Sequence, residues 1–221
     1  GHVTGVQTCA LPISSLANGF AYDDRWIIVD NPNVHDLAHW WNVFGETYWP
    51  ATRNAALYRP LTILAYQLQW AIGGTDPLLF HTVNVILYAA VSAMVLLVAA
   101  EVMPFAAAWV AAALFAVHPV HVEAVGNVVG QAELWSSLTT LGALLAYLRG
   151  RRDGQRISRE RGLIIAALYF GGMLFKENAI VLPALLAAAE AFLVVDDRPW
   201  RERDRKSTRL NSSHVALSRM P

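Results

Sequence analysis

The residues able to do chemistry sit in a few short stretches of an otherwise apolar chain. "YDDRW" sets two carboxylates, Asp23 and Asp24, side by side, and "HPVHVE" offers His118, His121 and Glu123. "GQAE" adds Gln131 and Glu133, "FKEN" adds Lys176 and Glu177, and "YRPLT" adds Arg59. Adjacent carboxylates repel each other, which suits a general base or a metal ligand; the same dipeptide also suits an Asx-type turn or helix cap. The histidines are metal-ligating types, but Pro119 discourages a continuous helix and the H-E-x-x-H arrangement of zinc hydrolases is missing. They equally suit hydrogen bonding to a phosphate or sugar, or the packing of a loop. Whether a divalent cation takes part is left open. Lys176 and Arg59 are cations fit for an anionic phosphate, although a lysine at a membrane edge often only snorkels. The sequence shows no P-loop, no Gly-rich nucleotide loop and no basic, aromatic-interleaved surface for nucleic acid.

These groups need elements to hold them, and composition says which kind. The chain is 55% hydrophobic and only 15% charged, which favours an all-α polytopic membrane protein over a soluble helical core. Apolar blocks run over Leu78–Ala100, Phe105–Val117, Leu134–Leu148, Leu163–Phe175 and Ala179–Val195. The expectation is five transmembrane helices within residues 78–203, the middle ones reaching the required length of about 20 residues only with their polar flanks. Six arginines crowd Arg149–Arg161, which marks that loop as cytoplasmic; Arg198, Arg201 and Arg203 return to the same side. Counting spans from there puts Asp23 and Asp24, His118 to Glu133, and Lys176 and Glu177 together on the extracytoplasmic face. Ionisable groups at a membrane edge are expensive and usually functional.

Residues 14–77 then read as the end of a first span plus a long extracytoplasmic loop, in which Arg25, Arg53 and Arg59 are the only arginines between Phe20 and Pro77. Its tryptophans, Trp26, Trp40, Trp41 and Trp49, suit the headgroup boundary. "LTILAYQLQWAI" has apolar residues at Leu61, Leu64, Ala65, Leu68 and Ile72, the spacing of an amphipathic helix at the interface. His81 and Asn84, three apart on the first apolar block, are placed to hydrogen-bond between helices.

The ends read differently. "VTGVQTCALPI" and "DRKSTRLNSSH" can be encoded by opposite strands of one DNA segment, pairing Val3 with His214 through to Ile13 with Asp204. Residues 1–13 and 204–221 are therefore expected to be adapter-derived tails, so Cys9 says nothing of redox compartment and the chain is truncated at both ends. Arg205, Lys206, Arg209 and Arg219 fall in that tail against one acid, Asp204, so the formal net charge of zero conceals an acidic remainder.

Taken in order, YDD…NP, WWNVFGETYWP, YRPLT…FHTVNV, AVHPVHVEAVGNVVGQAELWSS and FKENAIVLP resemble the transmembrane and tetratricopeptide-repeat O-mannosyltransferases of the GT-C superfamily. The resemblance implies a GT-C-like membrane fold and a polyprenyl-phosphate sugar donor, mannose in the known eukaryotic relatives. The implied acceptor is a Ser or Thr hydroxyl of a secreted or membrane protein. It implies an integral membrane protein of the bacterial inner membrane or the endoplasmic reticulum, with its active face extracytoplasmic. The catalytic aspartate of the first loop maps onto Asp24 or Asp23. Lys176, Arg59, His118 and His121 would receive the donor phosphate, with Glu123, Glu177, Glu133 and Gln131 in support. Gln131 departs from the arginine that relatives often carry, and His121-Val122-Glu123 from their H-T-E; loss of the arginine either weakens donor-phosphate binding or moves its role to Arg59 or Lys176. Rival readings are a non-catalytic scaffold of the same fold, a transferase with a lipid or glycan acceptor, and a transporter. A transporter calls for mid-membrane polar breaks and inverted repeats, which the sequence does not display.

Overall fold

Several helices in this chain start where the sequence supplies a proline or a small polar cap. The structure is a computed structural model describing residues 12–50 and 56–194, and no strand occurs among them. Both expected tails apart from Pro12 and Ile13, together with Arg53, Val195, Arg198, Arg201 and Arg203, lie outside the described residues. Helix α1 (Pro32–His35) follows Asn31, whose side chain accepts from the Asn33 amide at 3.1 Å. Helix α2 (Pro60–Gly73) opens on a proline, harmless in a first turn whose N–H has no helical partner. Asp76 caps α3 (Pro77–Val102) by accepting from the Leu78 amide at 2.9 Å. Helix α4 (Phe105–Val117) ends before Pro119, and the single turn α5 (Val122–Gly126) follows. Then come α6 (Gln131–Arg151), α7 (Arg159–Phe175) with Ser158 as its cap, and α8 (Leu182–Phe192).

The apolar blocks therefore all become helices, but not five helices that each span by length and composition. Among the described residues only α3, at 26 residues, is long and apolar enough to cross a membrane. Helix α4 qualifies only if joined to residues 119–126 across a 48° bend. Helices α7 and α8 have 17 and 11 residues, and α6 carries Gln131 and Glu133 at one end and Arg149 and Arg151 at the other.

Helix α6 is the hub, packed against α3, α7 and α8, while α4 rides on the far side of α3. Two carboxylates fasten the arginine-rich end. Glu101 at the foot of α3 accepts from Arg149 (2.9 Å) and Arg152 (2.6 Å). Glu190 of α8 takes Arg151 through two nitrogens (2.9 and 2.6 Å) and also accepts from Tyr147 (2.7 Å). Much of the arginine cluster is thus tied into the helix ends.

At the opposite end the long first loop folds into a cap with its own core: Ile27, Ile28, Val34, Val43, Tyr48, Ile63, Tyr66, Phe80 and Val128. Helix α2 belongs to this cap, and the face it buries is not the apolar stripe. Thr62, Ile63, Tyr66, Gln67 and Gln69 turn inward, whereas Leu68 is half exposed and Ile72 is 80% exposed. The inward side-chain donors find partners, Gln67 donating to the Asn33 carbonyl (2.7 Å) and Thr62 to the Phe175 carbonyl (2.7 Å), while the Gln67 amide oxygen is buried without one. Leu68 and Ile72 are thus left outward, while Leu64 of the same stripe still packs against the cap core.

Gly130 closes the 118–130 connection against the cap. A Cβ built there would lie 2.2 Å from the Ala124 carbonyl oxygen, so no other residue fits without moving backbone.

Candidate active site

The chain approaches the aspartate pair through Tyr22, whose φ of 46° puts a non-glycine residue in the left-handed region. Backbone outliers of this kind persist where the surroundings enforce them, often at functional sites. A π-helical turn, Arg25–Val29, follows at once, another feature that recurs at such sites. The consequence is that the two carboxylates part company. Asp24 is fully buried, with Oδ2 accepting from the Ala21 amide (3.1 Å) and Oδ1 from the Val129 amide (2.9 Å). It thereby staples the first loop to the 118–130 connection. Asp23 stays exposed and lines a cavity of about 730 Å³ beneath the cap.

That cavity gathers Asp23, Arg59, His121, Glu123, Glu133 and Lys176 from five separate segments, while Asp24, His118, Gln131 and Glu177 are not part of its lining. Its two cations are each already matched to a carboxylate. The Arg59 guanidinium meets Glu177 through Nε (2.9 Å) and Nη2 (2.5 Å) and lies 4.9 Å over the ring of Tyr48. The bond from Arg59 holds the Glu177 carboxyl below its usual range, and burial pushes the Tyr48 hydroxyl up to about 12. Lys176 pairs with Glu133, whose second oxygen accepts from Asn178 at 3.0 Å.

The cavity also has an apolar arm. On α3 its wall runs Tyr88, Val91 and Val95; on α6 it runs Leu134, Ser137 and Leu141. Seven residues at 1.5 Å each take both walls roughly 10 Å along the helices.

The two histidines differ. His118 is exposed outside the cavity, its Nδ1 accepting from the Val120 amide (3.2 Å), while His121 lines the cavity with its ring 4.2 Å from that of Phe115. Among the described residues, no three His, Cys, Asp or Glu side chains come together as a metal set. Gln131 is fully buried and faces away from the ionic groups: it exchanges hydrogen bonds with Gln69 (2.7 and 3.1 Å) and donates to Asn84 (2.9 Å). By accepting from Gln131 of α6, Asn84 of α3 takes the interhelical role expected of it, and it donates in turn to the Asn127 carbonyl of the connection (2.8 Å). Two further residues join the site, Tyr48 and Asn178. Asn178 was within reach as the fourth residue of "FKEN", whereas nothing local marks Tyr48 as the platform under Arg59.

Comparison with known proteins bears on this arrangement. The chain is 33% identical over 195 residues to the human protein O-mannosyl-transferase TMTC3, covering 86% of this chain and 21% of that protein. Against Drosophila melanogaster protein O-mannosyl-transferase Tmtc2 it is 37% identical over 190 residues, 81% of this chain and 20% of the relative. Human TMTC2 is 31% identical over 199 residues, 86% of this chain and 24% of the relative. The chain belongs to the TMTC family. It spans about a fifth of the length of the TMTC relatives it matches. No family model and no solved structure matches it. Within this TMTC chain, the matched stretch is long enough to contain the cap and the helices that line the cavity.

Proposed function

We propose that the chain carries the donor end of a membrane glycosyltransferase that moves a sugar, mannose by family, from a polyprenyl phosphate to a protein Ser or Thr hydroxyl. The observation that carries this reading is the two-part cavity. Three carboxylates (Asp23, Glu123 and Glu133) and two cations stand at its polar end, and a largely apolar wall that also carries Ser137 and Thr140 runs between α3 and α6. A sugar phosphate with a lipid tail matches both parts, whereas a soluble nucleotide sugar leaves the arm unused.

In this mechanism Asp23 accepts the proton of the acceptor hydroxyl as its oxygen attacks the anomeric carbon. The bond from that carbon to the lipid phosphate breaks on the opposite face, so the anomeric centre inverts. The phosphodiester monoanion becomes a phosphate monoester dianion, and the groups that receive this growing charge are Lys176 and Arg59. Asp24 holds the loop that presents Asp23, and Tyr48 holds Arg59 flat. The spans, the extracytoplasmic orientation and the GT-C class belong to this proposal. The outward apolar side of α2, the arginine cluster at the far end and the hydropathy of α3 support them.

The experiment is sugar transfer by the full-length protein in proteoliposomes. Asp23→Asn is expected to abolish transfer without changing insertion; wild-type transfer by this variant overturns the assignment. One observation favours the scaffold reading, namely that both cations already sit in ion pairs. That reading has Asp23→Asn leaving every cellular function intact.

A further inference from the structure

The two cation–carboxylate pairs that bring a cation to the cavity are built differently, and the difference points to different jobs. Arg59 is planar, held by Glu177 through two nitrogens and stacked over Tyr48, with a side chain only 10% exposed. Such a fork is fixed in place. Lys176 meets Glu133 through a single ammonium on a flexible stem, and both line the cavity. Glu133 does not depend on the lysine to stay put, because Asn178 holds its other oxygen and α6 carries it in its first turn. The ammonium is therefore the exchangeable partner: it can swing to a phosphate while Glu133 stays.

Resting on the donor reading above, we propose that Glu133 is a positioning residue that competes with the lipid phosphate for Lys176 and so drives product release. During transfer the leaving phosphate gains a second negative charge and draws the ammonium from Glu133. Once the glycoside has formed and the acceptor proton has passed to Asp23, Glu133 stands as an unpaired carboxylate beside a phosphate dianion. Their repulsion, and the return of Lys176 to Glu133, expel the lipid phosphate. Arg59, committed to Glu177, supplies a constant field and takes no part in the exchange.

This gives an acidic residue an unusual signature: removing its charge tightens the binding of an anion. The test measures farnesyl phosphate binding by the full-length protein in nanodiscs. Glu133→Gln keeps an acceptor for Asn178 and is expected to bind about 3- to 10-fold tighter than wild type, the range of a partly exposed ion pair released to a new partner. The gain should shrink in high salt. Glu133→Ala, which also removes the charge, should tighten binding too. Lys176→Ala should weaken it, and adding Glu133→Gln to Lys176→Ala should restore little. In turnover, Glu133→Gln should lower the donor KM and kcat together, a split that a damaged fold does not produce. Unchanged or weaker binding by both Glu133 variants overturns the proposal, as does equal tightening with and without Lys176. Absence of saturable binding by the wild-type protein overturns the donor reading and this proposal with it. Binding to wild type that Lys176→Ala leaves unchanged overturns only the exchange.

Discussion

Asparagine at position 24 separates structure from chemistry in the aspartate pair. Asp24 has no exposed surface, and each of its oxygens accepts one backbone N–H, from Ala21 at 3.1 Å and Val129 at 2.9 Å. Asp24→Asn keeps the shape but turns one acceptor into a donor, so whichever way the amide rotates, one N–H faces another N–H inside the protein. Losing a hydrogen bond to a charged group costs about 1.5–3 kcal/mol, and leaving a buried donor unpaired costs about 1–3 kcal/mol more. Asp24→Asn should therefore destabilise by roughly 3–5 kcal/mol, a fall in Tm on the order of 10 °C for a chain of this size. Tryptophan fluorescence during thermal unfolding in detergent reads this directly. Asp23→Asn should melt with wild type yet lose about 10²- to 10⁴-fold in transfer rate, the usual contribution of a general base. The reasoning fails if Asp24→Asn melts with wild type and Asp23→Asn still transfers sugar.

Gln131→Leu should destabilise by about 2–4 kcal/mol, because the buried amides of Gln69 and Asn84 both lose a partner; thermal melts measure it. Gly130→Ala should disrupt the 118–130 connection, since its Cβ falls 2.2 Å from a backbone oxygen; limited proteolysis should then cut between Asn127 and Gly130 faster than in wild type. The Arg59–Glu177 pair should stabilise the cap with a defined pH dependence. Arg59 lowers the Glu177 carboxyl in the folded state, so its contribution is full above the ordinary carboxylate value of 4.5 and disappears as pH falls through the lowered folded value. The Tm difference between wild type and Glu177→Gln should be flat above that value and shrink below it; a difference that grows on acidification contradicts the pairing.

Helix positions were legible because prolines, capping residues and apolar blocks agree: the block Phe105–Val117 matches α4 in both bounds. The grouping of Asp23, Glu133 and Lys176 was legible as well, since charge placement across the arginine loop assigns them to one side. What a sequence pattern could not convey was direction. Period alone marks Leu68 and Ile72 as an apolar stripe, but which face of α2 is covered depends on Gln67 finding the Asn33 carbonyl across the cap. Likewise "DD" looks symmetric until Tyr22 turns the backbone and buries one carboxylate against Val129. Gln131 looked like a lost cation; packing among Gln69 and Asn84 gives it a purely amide environment. Span lengths were the weakest part: α7 and α8 have only 17 and 11 residues, and α6 carries ionic groups at both ends, Glu133 on the cavity and Arg149 and Arg151 paired with Glu101 and Glu190.

The most direct test of the central claim supplies donors to the full-length protein sealed in vesicles with the cap outward. Mannose on a polyprenyl phosphate and nucleotide-activated mannose are each offered with a Ser/Thr peptide outside. Transfer from the lipid-linked donor alone, inverted at the anomeric carbon and abolished by Asp23→Asn, is the predicted result. Transfer from the nucleotide sugar, or transfer that survives Asp23→Asn, contradicts it.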